Sequence, residues 1–314
     1  MLRRWIYYLL KPYIPWYVRN LLRGTWQRRQ RQRYAATWPI LPSAGKTPSN
    51  WQGWPGKARF AFIITHDVEG AEGYDKTQKL AEIEQSLGLH SSFNFIPEGG
   101  YTLSREMRTW LKTRDFEVGV HDLHHDGKLF QSAEGFSQKA ARINHYLKEW
   151  DAVGFRAGFM LRNFEWYHQL ELEYDASSFD TDPFEPQPDG AETIFPFWIP
   201  SPGVSATNNC GYVELPYTLA QDSTLFLIMR ERDPRIWTHK LDWIVEQGGM
   251  ALINVHPDYI DFSGKACDRR HYTVELYIQL LRHLKERYAG QFWNPLPREL
   301  ARWYRAGLNL PSNR

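Results

Sequence analysis

The stretch Gly119-Val120-His121-Asp122-Leu123-His124-His125-Asp126-Gly127 directly follows the strand-like run 116–120. His121 and His125 are four residues apart, so on a helical or tightly turned backbone both imidazoles lie on one face and converge on one point. Two neutral imidazoles and one carboxylate make a three-ligand site for a divalent metal, with room left for water. The spacing also fits two ordinary surface histidines, so the metal site needs support from other segments.

Strands and helices alternate from residue 59 onward. Apolar, β-rich runs predict strands at 59–65, 90–96, 117–120, 153–156, 173–179, 212–215 and 250–255. Amphipathic spacing predicts helices at 75–87, 104–114, 132–150, 164–172, 234–247 and 271–288. Repeated units of this kind imply parallel strands joined by helical crossovers, so we predict an α/β fold with a barrel-like (β/α) architecture.

Ionisable residues stand at the ends of four predicted strands. In such folds the functional side chains gather at the carboxyl ends of the strands. The residues in question are Asp67 and Glu69 after the first strand, His121 and His125 after the third, Arg156 at the end of the fourth, and His256 after the run 250–255. This distribution predicts one polar site at the carboxyl edge of the sheet.

Composition sets the class of protein. The chain has 314 residues, 42% hydrophobic and 24% charged, which is typical of a globular protein with a sizeable core. The two cysteines, Cys210 and Cys267, lie far apart and match neither a disulfide framework nor a zinc-finger spacing. A reducing compartment is therefore expected.

The charge is unevenly distributed. Residues 1–66 contain 12 Lys and Arg and no Asp or Glu, whereas the rest of the chain carries 26 basic and 36 acidic residues. Residues 1–34 mix these cations with Trp and Tyr, a combination that suits an anionic membrane surface. A packed structural arm and a nucleic-acid contact are the alternatives. We expect no nucleic acid, because nothing else in the chain looks built to bind bases.

The N-terminus begins like a signal peptide, but Lys11 and Pro12 interrupt its apolar stretch and no clear cleavage site follows. We therefore interpret it as retained. No run reaches the 18 or more apolar residues that a membrane-spanning helix needs. These features predict a cytoplasmic protein, peripheral on the inner face of the cytoplasmic membrane.

The chain also resembles the polysaccharide deacetylases (carbohydrate esterase family 4, NodB-homology domain) over about residues 59–290. Five segments match the family motifs in order: 65–69, 121–125, 154–159, 174–180 and 252–257. The resemblance implies a distorted (β/α) barrel at 59–290 with fewer strands than the eightfold barrel. A basic, aromatic arm and linker at 1–58 would precede this barrel, and an extension at 291–314 would pack on it.

The resemblance further implies a metal-dependent hydrolase that removes N-acetyl groups from a polysaccharide or a lipid-linked sugar. In that family a metal-held water is activated by a carboxylate base, an arginine orients the base, and a histidine protonates the leaving amine. Carried to this sequence, these roles fall on Asp67 as base, Arg156, His256 as acid, and Glu69, His121 and His125 as metal ligands. Zinc is the preferred metal, with cobalt, nickel and iron as alternatives.

The first motif departs from the family pattern of adjacent aspartates. Val68 takes the second position and Glu69 follows it. Because alternate residues of a strand face the same side, Asp67 and Glu69 share a face. We assign the base to Asp67 and the metal carboxylate to Glu69, and the reverse assignment stays open. His66 is a further candidate ligand, although a histidine replacing an aromatic residue near the barrel mouth is the preferred interpretation.

A carboxylate beside His256 should raise its pKa and fix its tautomer. We choose Asp180 for this role, ahead of Asp175 and Asp182.

Three other functions stay open at this point. A hydrolase of the same fold would act on O-acetyl esters or on a small non-glycan amide. A glycan-binding module would lack catalysis, yet Asp67 and His256 are both present. An iron oxygenase also uses two histidines and one carboxylate, but the carboxylate comes first here and β and α units alternate, so we discount it.

Overall fold

The computed structural model describes residues 18, 24–25, 29–202, 210–264 and 270–308. Most of the predicted basic arm, residues 1–34, lies outside the described residues. Within the described part of the chain, no helix is both long and apolar enough to cross a membrane.

A curled, mixed sheet forms a half-barrel at the centre of the molecule. Its strands are β1 (Phe60–Val68), β2 (Ser92–Phe95), β3 (Glu117–His121), β4 (Gly154–Arg156), β5 (Tyr174–Asp175), β6 (Phe197–Pro200), β7 (Gly211–Glu214), β8 (Met250–Val255) and β11 (Phe292–Trp293). From β1 the order runs through β2, β3, β4, β5 and β7, all parallel, to β6, which is antiparallel to β7. On its other side β1 pairs parallel with β8 and β11. Two short strands, β9 (Ile260–Asp261) and β10 (Tyr272–Thr273), form a separate parallel pair.

In the part of the chain that the structure describes, helices pack around the sheet, and most of them form the crossovers between its strands. They are α1 (Ala71–Ser86), α2 (Arg105–Lys112), α3 (Ala133–Trp150), α4 (Arg235–Gln247), α5 (Val274–Arg287) and α6 (Pro297–Gly307). Ser104 begins α2 and Ser132 begins α3, each with a side chain that accepts a backbone N–H in the first turn. The predicted α/β fold, a distorted (β/α) barrel, is confirmed.

The strand β1 is buried on both faces, as expected for a parallel strand covered by helices. Phe60, Phe62 and Ile64 join the large apolar cluster shared with the helices, whereas Ala61 and Ile63 join the cluster inside the curl. The same alternation carries Thr65 and Asp67 to the inner side at the carboxyl end of the strand. Polar residues therefore replace apolar ones where the interior of the barrel meets solvent.

The segment after β7 spans the gap between β5 and β8. Parallel bridges pair Phe179 with Tyr217 and Leu219 with Ile253. The Thr218 hydroxyl adds a hydrogen bond to the Met250 carbonyl and accepts one from the Leu252 N–H, each 2.9 Å long. This pairing brings the following residues beside the carboxyl end of β8.

Two predicted elements are shorter than expected. The predicted helix 164–172 is a single three-ten turn, Trp166–Gln169. The predicted strand 173–179 contracts to β5 because the Asp175 carboxylate accepts the Ser177 N–H at 3.0 Å and turns the chain. Local side-chain bonds of this kind compete with sheet pairing.

Residues 35–58 and 291–308 both pack on the sheet. Trp38, Ala44 and Trp54 are buried in its apolar clusters, and so are Leu300 and Ala301 of α6. Dividing the chain at residues 58 and 290 stays a prediction.

Candidate metal centre and active site

Three predicted ligands meet at the carboxyl edge of the sheet. One ligand atom from each of Glu69, His121 and His125 lies within 4.8 Å of the other two. Glu69 Oε1 lies 3.3 Å from His125 Nε2. A tetrahedral zinc ion with bonds of about 2.0–2.1 Å holds its ligand atoms about 3.3 Å apart. The donor set and its spacing therefore fit a divalent cation.

His121 is oriented as a metal ligand needs to be. Its Nδ1 lies 3.1 Å from the Arg156 carbonyl oxygen, an acceptor that fixes the ring proton on Nδ1. The lone pair is thereby left on Nε2, which is buried and has no hydrogen-bond partner among the described residues. A buried nitrogen with an unused lone pair costs free energy, so a cation at this point would remove that cost.

His125 is held by backbone conformation and by ring stacking. Its φ of 52° is in the left-handed region, as is the φ of 58° at Phe159. The two rings stack with centroids 4.3 Å apart. A Cβ on Gly158 would lie 2.7 Å from His125 Cδ2, so glycine is needed for the loop that follows β4 to approach the ring.

Asp67 lies beside this cluster, with Oδ2 4.0 Å from His121 Nε2. The side-chain amides of Asn94 and Asn254 donate to its two carboxylate oxygens at 3.0 and 2.8 Å. Burial alone would raise the pKa of Asp67, but the positive charges of Arg156 and His256 and the hydrogen bond from Asn94 act against burial, and that pKa lies below its ordinary value. Asp67 is therefore ionised and its orientation is fixed.

His256 faces the cluster from the end of β8. Its Nε2 lies 3.8 Å from Glu69 Oε1, and its Nδ1 lies 2.6 Å from Asp222 Oδ1. The Asp222 carboxylate also accepts the His256 N–H and the Tyr272 hydroxyl, both at 2.9 Å. Burial lowers the pKa of His256, but the Asp222 charge and hydrogen bond dominate, and with Glu69 and Asp67 they raise it to about 10. The ring is an imidazolium at neutral pH.

Comparison with one solved structure shows the same architecture over most of both chains. A protein from Mycobacterium smegmatis, provisionally assigned as a polysaccharide deacetylase, is 18% identical with a TM-score of 0.61, and the match covers 85% of this chain and 98% of that one. The peptidoglycan deacetylase PdaC from Bacillus subtilis is 12% identical at a TM-score of 0.44, covering 81% and 95%. A family 4 pseudoenzyme from Bacillus anthracis is 12% identical at 0.45, covering 79% and 67%. No family model and no curated protein matches the sequence.

The chain has the polysaccharide deacetylase fold. At 18% identity the likeness to the Mycobacterium smegmatis protein shows the fold alone, so the roles of individual residues must come from the site itself.

The predicted pairing of Asp180 with His256 is wrong. The Asp180 carboxylate lies 2.5 Å from Lys240 Nζ, and both side chains are buried. Asp175 accepts hydrogen bonds from Ser177, and Asp182 accepts one from Tyr217, so neither alternative contacts His256. Asp222 takes the role because Thr218 and Leu219 pair with β8, and this pairing places Asp222 beside His256.

Arg156 lies next to Asp67 as predicted, but it does not orient the carboxylate through a hydrogen bond. Its Nη1 is 3.7 Å from Asp67 Oδ2, which is an ionic contact. The two asparagines hold Asp67 instead. Asn94 stands opposite Asp67 in the β1–β2 register, and Asn254 precedes His256 by two residues in β8. Each asparagine is a polar residue between apolar neighbours in its strand, and this sequence feature could have identified both as partners of Asp67.

His66 points away from the metal cluster, on the helix side of β1. Its Nε2 lies 2.8 Å from Glu84 of α1 and its Nδ1 lies 3.0 Å from the Val255 carbonyl oxygen. The ring stacks on Phe93 at a centroid distance of 4.5 Å. The interpretation as a buried replacement for an aromatic residue agrees with this position.

Replacing Asp222 by asparagine should move the alkaline limb of the pH–rate profile to lower pH. Asp222 is the main group that raises the pKa of His256, and the protonated ring is lost as pH rises through that pKa. Without the negative charge of Asp222, His256 loses its proton at a lower pH. The measurement is turnover as a function of pH. Metal content is determined in the same samples and should be unchanged, because the metal ligands are intact in this variant.

Asp180→Asn is the matched control for that measurement. It removes the counter-ion of the buried Lys240 ammonium, which costs about 3–5 kcal/mol of stability, yet it should leave the alkaline limb where it is. An alkaline limb that shifts in Asp180→Asn and stays fixed in Asp222→Asn would overturn the assignment of the histidine partner.

Proposed function

We propose that the protein is a metal-dependent hydrolase that removes N-acetyl groups from a polysaccharide or a lipid-linked sugar. The observation that carries this proposal is the convergence of Glu69, His121 and His125 between an ionised Asp67 and a protonated His256. A divalent ion held by those three ligands would lower the pKa of water and polarise the amide carbonyl.

The side chains around the cluster divide the proton transfers between them. Asp67, fixed by its two amide donors, takes the proton of the attacking water, whose oxygen bonds to the acetyl carbon. The carbon–nitrogen bond then breaks as the nitrogen takes the proton of His256 Nε2. Asp222 keeps His256 protonated until that step by holding Nδ1–H. Solvent afterwards restores both groups.

The charge state of His256 favours an amide over an ester. An amine leaves only when it is protonated, whereas an alcohol is the better leaving group and depends less on an acid. A raised pKa at His256 is therefore suited to N-acetyl substrates.

Acetate release tests the proposal directly. Metal-stripped protein and protein reloaded with zinc, cobalt, nickel or iron are each incubated with a panel of N-acetylated glycans, and O-acetylated glycans are included for the ester alternative. We expect release from an N-acetylated glycan that disappears on chelation and returns on reloading. Turnover indifferent to chelation would contradict the mechanism, and no turnover on any member would favour a non-catalytic glycan-binding module.

We also propose that residues 1–34 bind an anionic membrane surface on its cytoplasmic face, which would suit a lipid-linked substrate. Arg29 and Arg33 are exposed, and Arg31 is paired with Glu231. A Cβ on Gly24 would lie 2.9 Å from the Ile228 carbonyl oxygen, so this part of the arm packs against the segment that follows Asp222. The described residues of the arm therefore contact the segment that follows Asp222.

Deleting residues 1–34 should move the protein from the membrane fraction to the supernatant on cell fractionation. The physical reason is the loss of nine cations and the aromatic side chains that accompany them. An unchanged distribution would refute the membrane contact and leave the hydrolase proposal intact.

A further inference from the structure

The metal carboxylate Glu69 is contacted at both ends by the three-ten turn Pro257–Tyr259, which directly follows His256. Asp258 binds the backbone of Glu69, and Tyr259 binds its side chain. Neither residue belongs to the set of ligands, the base or the acid described above. We refer to Asp258 and Tyr259 together as the Glu69 clamp.

The backbone end of the clamp is built on the first turn of α1. Asp258 Oδ2 accepts the Glu69 N–H at 2.9 Å, and Oδ1 accepts the Gly73 N–H at 3.2 Å. Gly70, at the N-cap of α1, supplies no side-chain hydrogen bond, so Asp258 serves as a cap from a distant segment. A Cβ on Gly73 would lie 2.1 Å from Asp258 Oδ2, so glycine is required for this approach.

The side-chain end of the clamp selects which oxygen faces the cluster. The Tyr259 hydroxyl donates a short hydrogen bond to Glu69 Oε2. Oε1 is then directed at the other side chains, 3.3 Å from His125 Nε2 and 3.8 Å from His256 Nε2. One oxygen is thus occupied by the hydroxyl and the other is presented to the site.

The clamp restricts the conformational freedom of Glu69. Glutamate has one more rotatable bond than aspartate, and Glu69 lies just past the end of β1, where sheet pairing no longer fixes the backbone. A flexible carboxylate loses more conformational entropy when it is fixed as a ligand. Hydrogen bonds to the backbone N–H and to Oε2 restrict that freedom before a cation arrives.

We propose that Asp258 and Tyr259 are positioning residues that preorganise Glu69 as a single-oxygen metal ligand. This inference rests on the proposed function, because it takes Glu69, His121 and His125 to be the metal site. Partners that orient a ligand in this way typically change metal affinity by about 10- to 100-fold when they are removed.

The test measures the zinc dissociation constant of the full chain by competition with a chromogenic chelator. Tyr259→Phe removes the hydroxyl and keeps the ring, and should weaken zinc binding by about 10- to 100-fold. Asp258→Asn keeps the size but replaces one of two acceptor oxygens by an amide, and should weaken binding in the same direction. Should Tyr259→Phe fail to fold, Asp258→Asn carries the test.

Tyr277→Phe is the matched control. The Tyr277 hydroxyl donates to buried Glu84 at 2.6 Å, so the same kind of bond is lost at a carboxylate that binds no metal. This variant should lower the melting temperature and leave the zinc dissociation constant unchanged, which separates positioning from general stability.

The outcomes separate this inference from the proposed function. If the wild type binds zinc, and Tyr259→Phe and Asp258→Asn bind it with the same affinity as the wild type, the clamp inference is wrong and the proposed function is unaffected. A wild type that binds no zinc overturns the clamp and the metal-dependent hydrolase together. Weaker binding in both clamp variants but not in Tyr277→Phe supports the inference.

Discussion

Replacing His121 by alanine should abolish zinc binding and reduce acetate release by about a thousandfold or more. The imidazole supplies one of three ligands, and its Nε2 is buried with no other partner among the described residues. Lewis-acid and water-activating chemistry is worth several kcal/mol of transition-state stabilisation, and each 1.36 kcal/mol is a factor of ten in rate. The measurements are bound zinc per chain and the rate of acetate release at saturating zinc.

His124→Ala is the control for that loss. His124 lies in the same loop but is half-exposed, and its Nδ1 lies 3.2 Å from the Glu98 carbonyl oxygen instead of facing the cluster. We expect full zinc content and near-normal turnover. If His121→Ala retained stoichiometric zinc, the assignment of the metal centre would be wrong whatever its activity.

Replacing His256 by glutamine should leave zinc bound and reduce turnover by about 10²- to 10⁴-fold, the usual range for one general acid. Glutamine has similar length and polarity but cannot carry the proton that the leaving nitrogen needs. The loss should appear in kcat with little change in KM, because the proton moves only in the transition state. The measurement is steady-state kinetics on zinc-loaded protein.

A histidine–aspartate pair outside the site serves as a control. His283 Nε2 lies 2.8 Å from Asp242 Oδ1 in a partly exposed pair formed between α5 and α4. His283→Gln removes the same type of contact and should leave kcat unchanged. If His256→Gln and His283→Gln lost the same amount of kcat, the loss in His256→Gln would reflect reduced stability, and the general-acid assignment would be wrong.

The two predictions differ in what they remove, which makes them informative together. The His121 variant loses zinc and turnover, whereas the His256 variant keeps zinc and loses turnover. This contrast follows from geometry, since His121 Nε2 lies within the ligand cluster and His256 is tied through Nδ1 to Asp222.

The sequence by itself determined the parts of the site that are periodic or closely spaced. Alternation along a strand places Asp67 and Glu69 on one face, and four-residue spacing brings His121 and His125 together. Both are local geometric rules that bring the side chains close together, and contacts from distant segments then fix the orientation of His125 and Glu69. The order of strands and helices gave the α/β fold for the same reason.

Only the tertiary structure decided the contacts between segments that are distant in sequence. Asp222 directly follows no predicted strand, and it reaches His256 because Thr218 and Leu219 pair with β8. Asp180 lies in a motif that favoured it, yet Lys240, 60 residues away, binds its carboxylate. The hydrogen bonds of Asp258 and Tyr259 to Glu69 span about 190 residues. Such contacts depend on how loops meet across the sheet, and the spacing of residues along the chain does not predict those contacts.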